Sequence, residues 1–283
     1  MFARKKIDPA SGPDLYEYTA GASNWLRAYR DLENGWSRRK LWGDMALRAF
    51  KNKYRGAFFG AFWLTITTAI TATGLGILYG YLFGLPLVDH LLYVTLAVTT
   101  WSMITGFMTG GCVVFVGNAH TFKQFPLPLS LFPFMLTFTQ MILFSYRSIV
   151  LVIMLIIFSV PLNLTALLAI FGIMLIIWIG FWMSMGLGVL NARYRDFGQL
   201  VGAGLTFIFF LTPVFWLPSR LGDYEVYVNI NPFYHLIEVV RGPILGHDNL
   251  VLHFGVVIGL AIIAPIFGWL FYGKLSYRLP YWC

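Results

Sequence analysis

The side chains of this 283-residue chain that could do chemistry are few and scattered. The five histidines, His90, His120, His235, His247 and His253, show no ligand spacing, so the sequence predicts no zinc or other metal site. Cys112 lies in an apolar stretch and Cys283 is the last residue, which leaves neither a CxxC pair nor a disulfide framework. A nucleophile elbow of the GxSxG type and an HExxH metal helix are both missing. One decoy runs from Gly268 through Gly273 and Lys274. A phosphate-binding loop needs a preceding strand and a Ser or Thr after its Lys, whereas here Leu275 follows and the glycines close an apolar run. The residues therefore predict no enzyme and no cofactor held by this chain. Any ATP that drives its work must be hydrolysed by another.

Two groups of residues still invite a chemical reading. Arg147 stands within an apolar stretch, where a central Arg costs about 2.5–3.5 kcal/mol on insertion scales. Thr137, Gln140, Phe144 and Arg147 follow one helical face, which should look into a bundle or a wet channel. Arg147 either pairs with backbone carbonyls or a span end, or lies on the path of an anionic substrate. The second group is aromatic. Phe215, Trp216, Tyr224, Tyr227, Phe233 and Tyr234 crowd one segment. Sugar rings pack their C–H faces on such rings, and an interfacial aromatic belt has the same composition.

The elements that must position these residues follow from composition. The chain is 58% hydrophobic and 11% charged, with a mean hydropathy of +0.72. Soluble domains carry about 25% charged residues, and a chain this short cannot bury so much apolar surface in one soluble core. Both an ordinary soluble enzyme and a disordered chain are excluded. The expected fold is an all-α membrane protein with six spans, at about 57–83, 91–116, 131–160, 166–190, 198–217 and 250–272. The third is long and contains Arg147; it is kept as one span. Six spans place both termini on one side. Twelve of the twenty Lys and Arg lie in residues 1–55, and Lys123, Arg193, Arg195, Lys274 and Arg278 join them on the same predicted side. Only Arg220 and Arg241 fall opposite. This bias predicts cytoplasmic termini and explains the net charge of +8 by an anionic inner leaflet, with no call for nucleic acid. Residues 1–35 are polar and contain no apolar signal core, so no cleaved leader is expected.

Within residues 36–55, Trp42, Met45, Ala46, Ala49 and Phe50 form one face and Lys40, Asp44, Arg48, Lys51 and Arg55 the other, with Lys53 near the apolar side. This predicts an amphipathic helix in the membrane interface, either a plain anchor or a lever touching a cytosolic partner. Glycines 56, 60, 74, 76, 80 and 84 crowd the first span, where four-residue spacings allow close helix packing. The segment 213–247 is too apolar for a loop and too broken for a span. Asn231 and Pro232 read as an N-cap and first turn, opening a helix from about 232 to 241 that stops at Gly242-Pro243. Two short helices dipping back, a lid over about 218–247, fit this pattern.

The chain resembles the transmembrane subunits of ABC-2-type exporters of polysaccharides, the O-antigen, capsule and teichoic-acid permeases. The resemblance covers about residues 36–283. It is carried by Asn118-Ala-His-Thr-Phe-Lys-Gln-Phe-Pro126, Asn191-Ala-Arg-Tyr-Arg-Asp-Phe197, Thr212-Pro-Val-Phe-Trp216, Asn231-Pro-Phe-Tyr-His-Leu-Ile-Glu238 with Arg241, and Tyr277-Arg-Leu-Pro-Tyr-Trp282. It implies a bacterial inner-membrane permease of residues 56–283 that works as a homodimer with two copies of a separate ATPase, which binds the ATP and Mg. It also implies export of a lipid-linked polysaccharide. Lys123, Arg193, Arg195 and Asp196 are the expected coupling residues. Arg147, Trp63, Phe215, Trp216, Tyr224, Tyr227, Phe233 and Tyr234 are expected in the channel or gate. Two other functions remain open from the residues: an ABC-2 exporter of drugs or lipids, and a membrane-embedded transferase, which needs Asp, Glu or His converging at one depth. Residues 1–35 have no family counterpart and no assigned role.

Overall fold

A computed structural model describes residues 24–160 and 163–283, with the side chains of residues 223–225 outside the description. Residues 1–23 of the predicted cytosolic segment lie outside the described residues. Among those described the regular structure is helical: α1 (Asn24–Ser37), α2 (Arg39–Lys53), α3 (Trp63–Phe83), α4 (Leu87–Val113), α5 (Ala119–Gln124), α6 (Leu131–Ile157), α7 (Leu168–Arg193), α8 (Phe197–Leu211), α9 (Glu225–Val228), α10 (Pro232–Leu245), α11 (Leu250–Leu275) and α12 (Leu279–Trp282). Helix is what an apolar chain must adopt in a bilayer, where each backbone group has to find its partner within the segment.

Five helical stretches among the described residues, built on α3, α4, α6, α7 and α11, are long and apolar enough to cross a membrane. The chain is a multi-pass membrane protein with five such stretches rather than the six expected. The span expected at 198–217 is the 15-residue α8, which rises about 22 Å, against the roughly 30 Å of a hydrocarbon core. Pro213 is the reason, because the residue before a proline is driven out of the helical region, and Thr212 is extended with ψ 134°. By contrast α6 runs unbroken through Arg147, so the long third span is one helix.

Residue pairs fix the directions. Gly76 faces Leu91, so α3 and α4 are antiparallel; Gly106 and Gly110 face Gln140 and Leu136, so α4 and α6 are too. Gly111 and Gly188 close on Ser184 and Val114, which runs α7 alongside α4 in the same sense, and Gly268 against the Trp182 carbonyl does the same for α11 and α7. A side chain at these glycines would hold the helices apart, and small residues are how helices without a hydrophobic drive between them gain packing. Gly74, by contrast, meets nothing. α4 is the central post, buried along most of its length. α8 starts at the same end as α3 and α6, and residues 212–231 complete its climb, with the Arg220 guanidinium donating to the Phe83 carbonyl at 2.8 Å.

The bundle thus has a basal end, where α1, α5, the start of α6, the α7–α8 turn and α12 meet, and a far end. α1, most of which falls in the segment 1–35 with no expected role, lies across the basal end. It buries Ala28, Asp31 and Gly35. The Asp31 carboxylate accepts from the Leu129 and Ser130 amides at 2.8 Å each and from the Tyr272 hydroxyl, while Ser130 Oγ donates to the Asp31 carbonyl. α2 carries the expected faces in part: Ala46 and Phe50 are buried and its charges exposed, but Ala49 is exposed as well. It runs along α6, Trp42 against Phe134 and Phe138 and Phe50 against Tyr146.

Candidate functional site

At the basal end, three of the four expected coupling residues from two separate loops gather on the tail. Asn191, buried, fixes the α7–α8 turn by accepting from the Gly198 amide at 2.7 Å, so Arg193, Arg195 and Asp196 stand exposed on a rigid loop. The Arg193 guanidinium lies 5.4 Å from the Trp282 ring. Burial pushes the Cys283 thiol up, and the charges of Lys123 and Arg195 act against it, while α12 packs on both α5 and α7. Lys123 is held there by α5, whose Phe122 is buried on Phe132. The result is an exposed, positively charged platform.

At the far end, α10 is anchored by charge. Arg241 is fully buried. It donates to Glu238 from Nε and Nη2, and from Nη1 to the Pro213 carbonyl at 2.9 Å, with its plane 3.7 Å from the Tyr93 ring. The second Glu238 oxygen meets His247 Nδ1 at 3.0 Å. Burial works to raise the Glu238 carboxyl, and Arg241, then His247, outweigh it and bring it down to about 2. His235 Nε2 faces the Asn229 carbonyl at 2.8 Å, so it carries the proton. Its Nδ1 lies 2.9 Å from His253 Nδ1. Tyr93, Glu238, His247 and His253 share the wall of a cavity of about 240 Å³.

The lid differs from expectation in one respect. Asn231 is the N-cap, accepting from the Phe233 amide at 3.0 Å, but α10 continues past Gly242-Pro243 and stops at Gly246, whose φ is +71°. The missing Pro243 N–H leaves the Val239 carbonyl without its helical donor, and α7 closes on that carbonyl at Gly172, where a Cβ would collide with it.

A model of the ABC-2 type transporter family matches residues 42–245. The chain belongs to the ABC-2 type transporter family. It is also similar to two proteins of Klebsiella pneumoniae named O-antigen export system permease protein RfbA, 19% identical over 233 residues and 20% over 237. Each alignment covers 81% of this chain and 89% of the relative. As an ABC-2 permease the chain is a transport subunit.

The other residues expected in this permease's channel do not form one surface. Phe215 is buried, stacked on Tyr79 at 4.5 Å, and Trp216 donates from its indole to the Phe210 carbonyl. Phe233 packs on Trp101 and Tyr234 against His253. Tyr227 is exposed, and the Tyr224 side chain lies outside the described residues. Trp63, half exposed and stacked on Phe59, is remote from them at the start of α3, level with Tyr146. Arg147 turns to α4, reaching the Ser102 carbonyl at 3.5 Å, two turns along α6 from Gln140, which donates to the Gly106 carbonyl. Its charge also acts on the Tyr54 phenol, which burial pushes up. Sequence reasoning missed Asp31, Tyr93 and Tyr272. Asp31 had a signal, since it shares a helical face with Ala28 and Gly35.

Proposed function

We propose that this ABC-2 permease is the membrane half of an exporter of a lipid-linked polysaccharide, working in the bacterial inner membrane as a dimer with two copies of a separate ATPase. The observation that carries the substrate is the similarity to the O-antigen export permeases along nearly their whole length. The basal platform of Lys123, Arg193 and Arg195 supports an ATPase below it, and its basic character supports cytoplasmic termini, since basic segments stay inside. The far end is then the outer side, and α9 and α10 are the lid. A carboxylate held as low as that of Glu238 and locked by Arg241 is a poor general base, which speaks against a transferase although Glu238, His235, His247 and His253 do converge.

Cells lacking the chain should accumulate a lipid-linked polysaccharide at the cytoplasmic face and lose it from the surface, and the restored chain should reverse both. Normal surface polysaccharide combined with loss of drug or lipid efflux would replace this substrate with that of the other ABC-2 exporters.

A further inference from the structure

Trp25, Tyr29, Leu32 and Trp36 recur along α1 at i, i+4, i+7 and i+11, one stripe beside the face that Asp31 clamps to the bundle. Trp25, Tyr29 and Trp36 are 40%, 57% and 56% exposed. The stripe is continuous with apolar surface on spanning helices. The Trp25 ring sits 5.9 Å from Trp269 of α11, Trp269 6.4 Å from Trp182 of α7, and Trp182 5.7 Å from Trp178. Around that row Ile262, Ile266, Leu270 and Met174 are exposed on α11 and α7. Aromatic residues whose rings are apolar and whose edges are polar settle at the headgroup level, and Trp25 beside Trp269, near the end of α11, marks that level. Off the stripe come Glu33 and then Arg30, Arg27 lies across the helix from it, and Arg38, Arg39 and Lys40 follow directly. The family match begins only at residue 42.

We infer that α1 is an interfacial seat for an anionic lipid leaflet. Its tryptophan stripe lies among the headgroups, its arginines meet the lipid phosphates, and the Asp31 clamp transmits that position to the ends of α6 and α11. The occupant is a lipid surface rather than a protein, because the stripe adjoins the exposed apolar side chains of α11 and the charges that follow it, Arg38, Arg39 and Lys40, are basic. The seat is built to be rigid. A Cβ on Gly35 would collide with Ser130 Oγ, and one on Gly273 with the Trp25 ring, so both glycines make room for α1.

The full chain, with Cys112→Ser and Cys283→Ser, carries a spin label at Tyr29→Cys on the stripe or at Arg30→Cys off it. It is reconstituted into phosphatidylcholine vesicles with and without phosphatidylglycerol. The expected result is an oxygen-over-nickel accessibility ratio several-fold higher at residue 29 than at residue 30, increased by phosphatidylglycerol. Adding Asp31→Asn, which frees α1 from the bundle, should shrink the difference. Equal ratios at the two positions overturn the proposal, as does a label at residue 29 that neither reagent reaches, no response to phosphatidylglycerol, or a difference that emerges only when the ATPase subunit is added. Trp36→Cys serves as the stripe position if the first variant does not accumulate.

Discussion

The Arg241 guanidinium stacks 3.7 Å over the Tyr93 ring while it grips Glu238, so an ion pair on α10 is fastened to the central helix α4. Removing one partner of a buried pair leaves an uncompensated charge, at a cost of about 3–5 kcal/mol. Arg241→Met alone should therefore lower protein abundance and thermal stability sharply. The double change Arg241→Met with Glu238→Leu should recover much of the loss, and unfolding of the purified proteins in detergent checks both. The Glu238 carboxyl, lowered to about 2, stabilises the fold fully above the ordinary carboxylate value of about 4.3 and loses that contribution as pH falls toward 2. Unfolding temperatures should be flat from pH 7 to 5 in this respect and drop below pH 4, and the drop should be smaller in the double variant.

Much of the fold was legible because bilayer helices need long apolar runs, and the spans built on α3, α4, α6, α7 and α11 fell close to where hydropathy put them. α8 is a shorter helix than the span expected at 198–217, because apolarity continues past Thr212 while helical geometry does not, and Pro213 decides that locally. The Thr137–Arg147 face was readable as one that looks into a bundle or a wet channel, and from it Gln140 and Arg147 reach carbonyls of α4. The gathering of Lys123, Arg195 and the tail was not, since charge counting assigns a side of the membrane and says nothing of distance. Nor could the aromatic crowding of 213–247 separate core from surface: Phe215 is packed and Tyr227 exposed, from the same composition.

Asn231 does two tasks, capping α10 with Oδ1 and donating from Nδ2 to Thr212 Oγ1 at 2.8 Å. It thereby ties the start of α10 to the break after α8. Asn231→Asp keeps the cap and loses the tie; Asn231→Ala loses both. An N-cap contributes about 1 kcal/mol and a hydrogen bond about the same net amount. Thermal unfolding should rank the native protein above Asn231→Asp and that above Asn231→Ala. Equal losses in the two variants would assign the whole effect to the Thr212 tie.

The basal platform predicts a loss of coupling without a loss of folding. Arg195 is exposed and, like Lys123, belongs to the basal end, so Arg195→Glu removes one cation and adds an anion where a partner is expected to bind. Membrane abundance should be unchanged, since surface substitutions cost little stability. Co-purification of the ATPase subunit and export should both fall. Charge repair on the ATPase side should restore them, and normal export at normal abundance would remove Arg195 from the interface.

Arg147 sets the sharpest alternative. Its guanidinium reaches the Ser102 carbonyl at 3.5 Å, a long bond for a half-buried cation, and no carboxylate is within ion-pair distance of it among the described residues. A charge inside an apolar helix persists when water, an anion or a carbonyl offsets its cost. If its task is to brace α6 against α4, the weak bond means that Arg147→Met costs little or even stabilises, because Met suits the site and packs there. Export would then stay near normal. If its open donors meet a lipid phosphate, which a guanidinium binds through two parallel bonds, Arg147→Met should leave a folded, inserted protein that still assembles with its ATPase but exports poorly. Arg147→Lys keeps the charge, loses the fork and should fall between. Measuring export and abundance together in the two variants separates the roles: a graded loss of export at constant abundance places Arg147 on the substrate's path, and unchanged export in both leaves it as a brace.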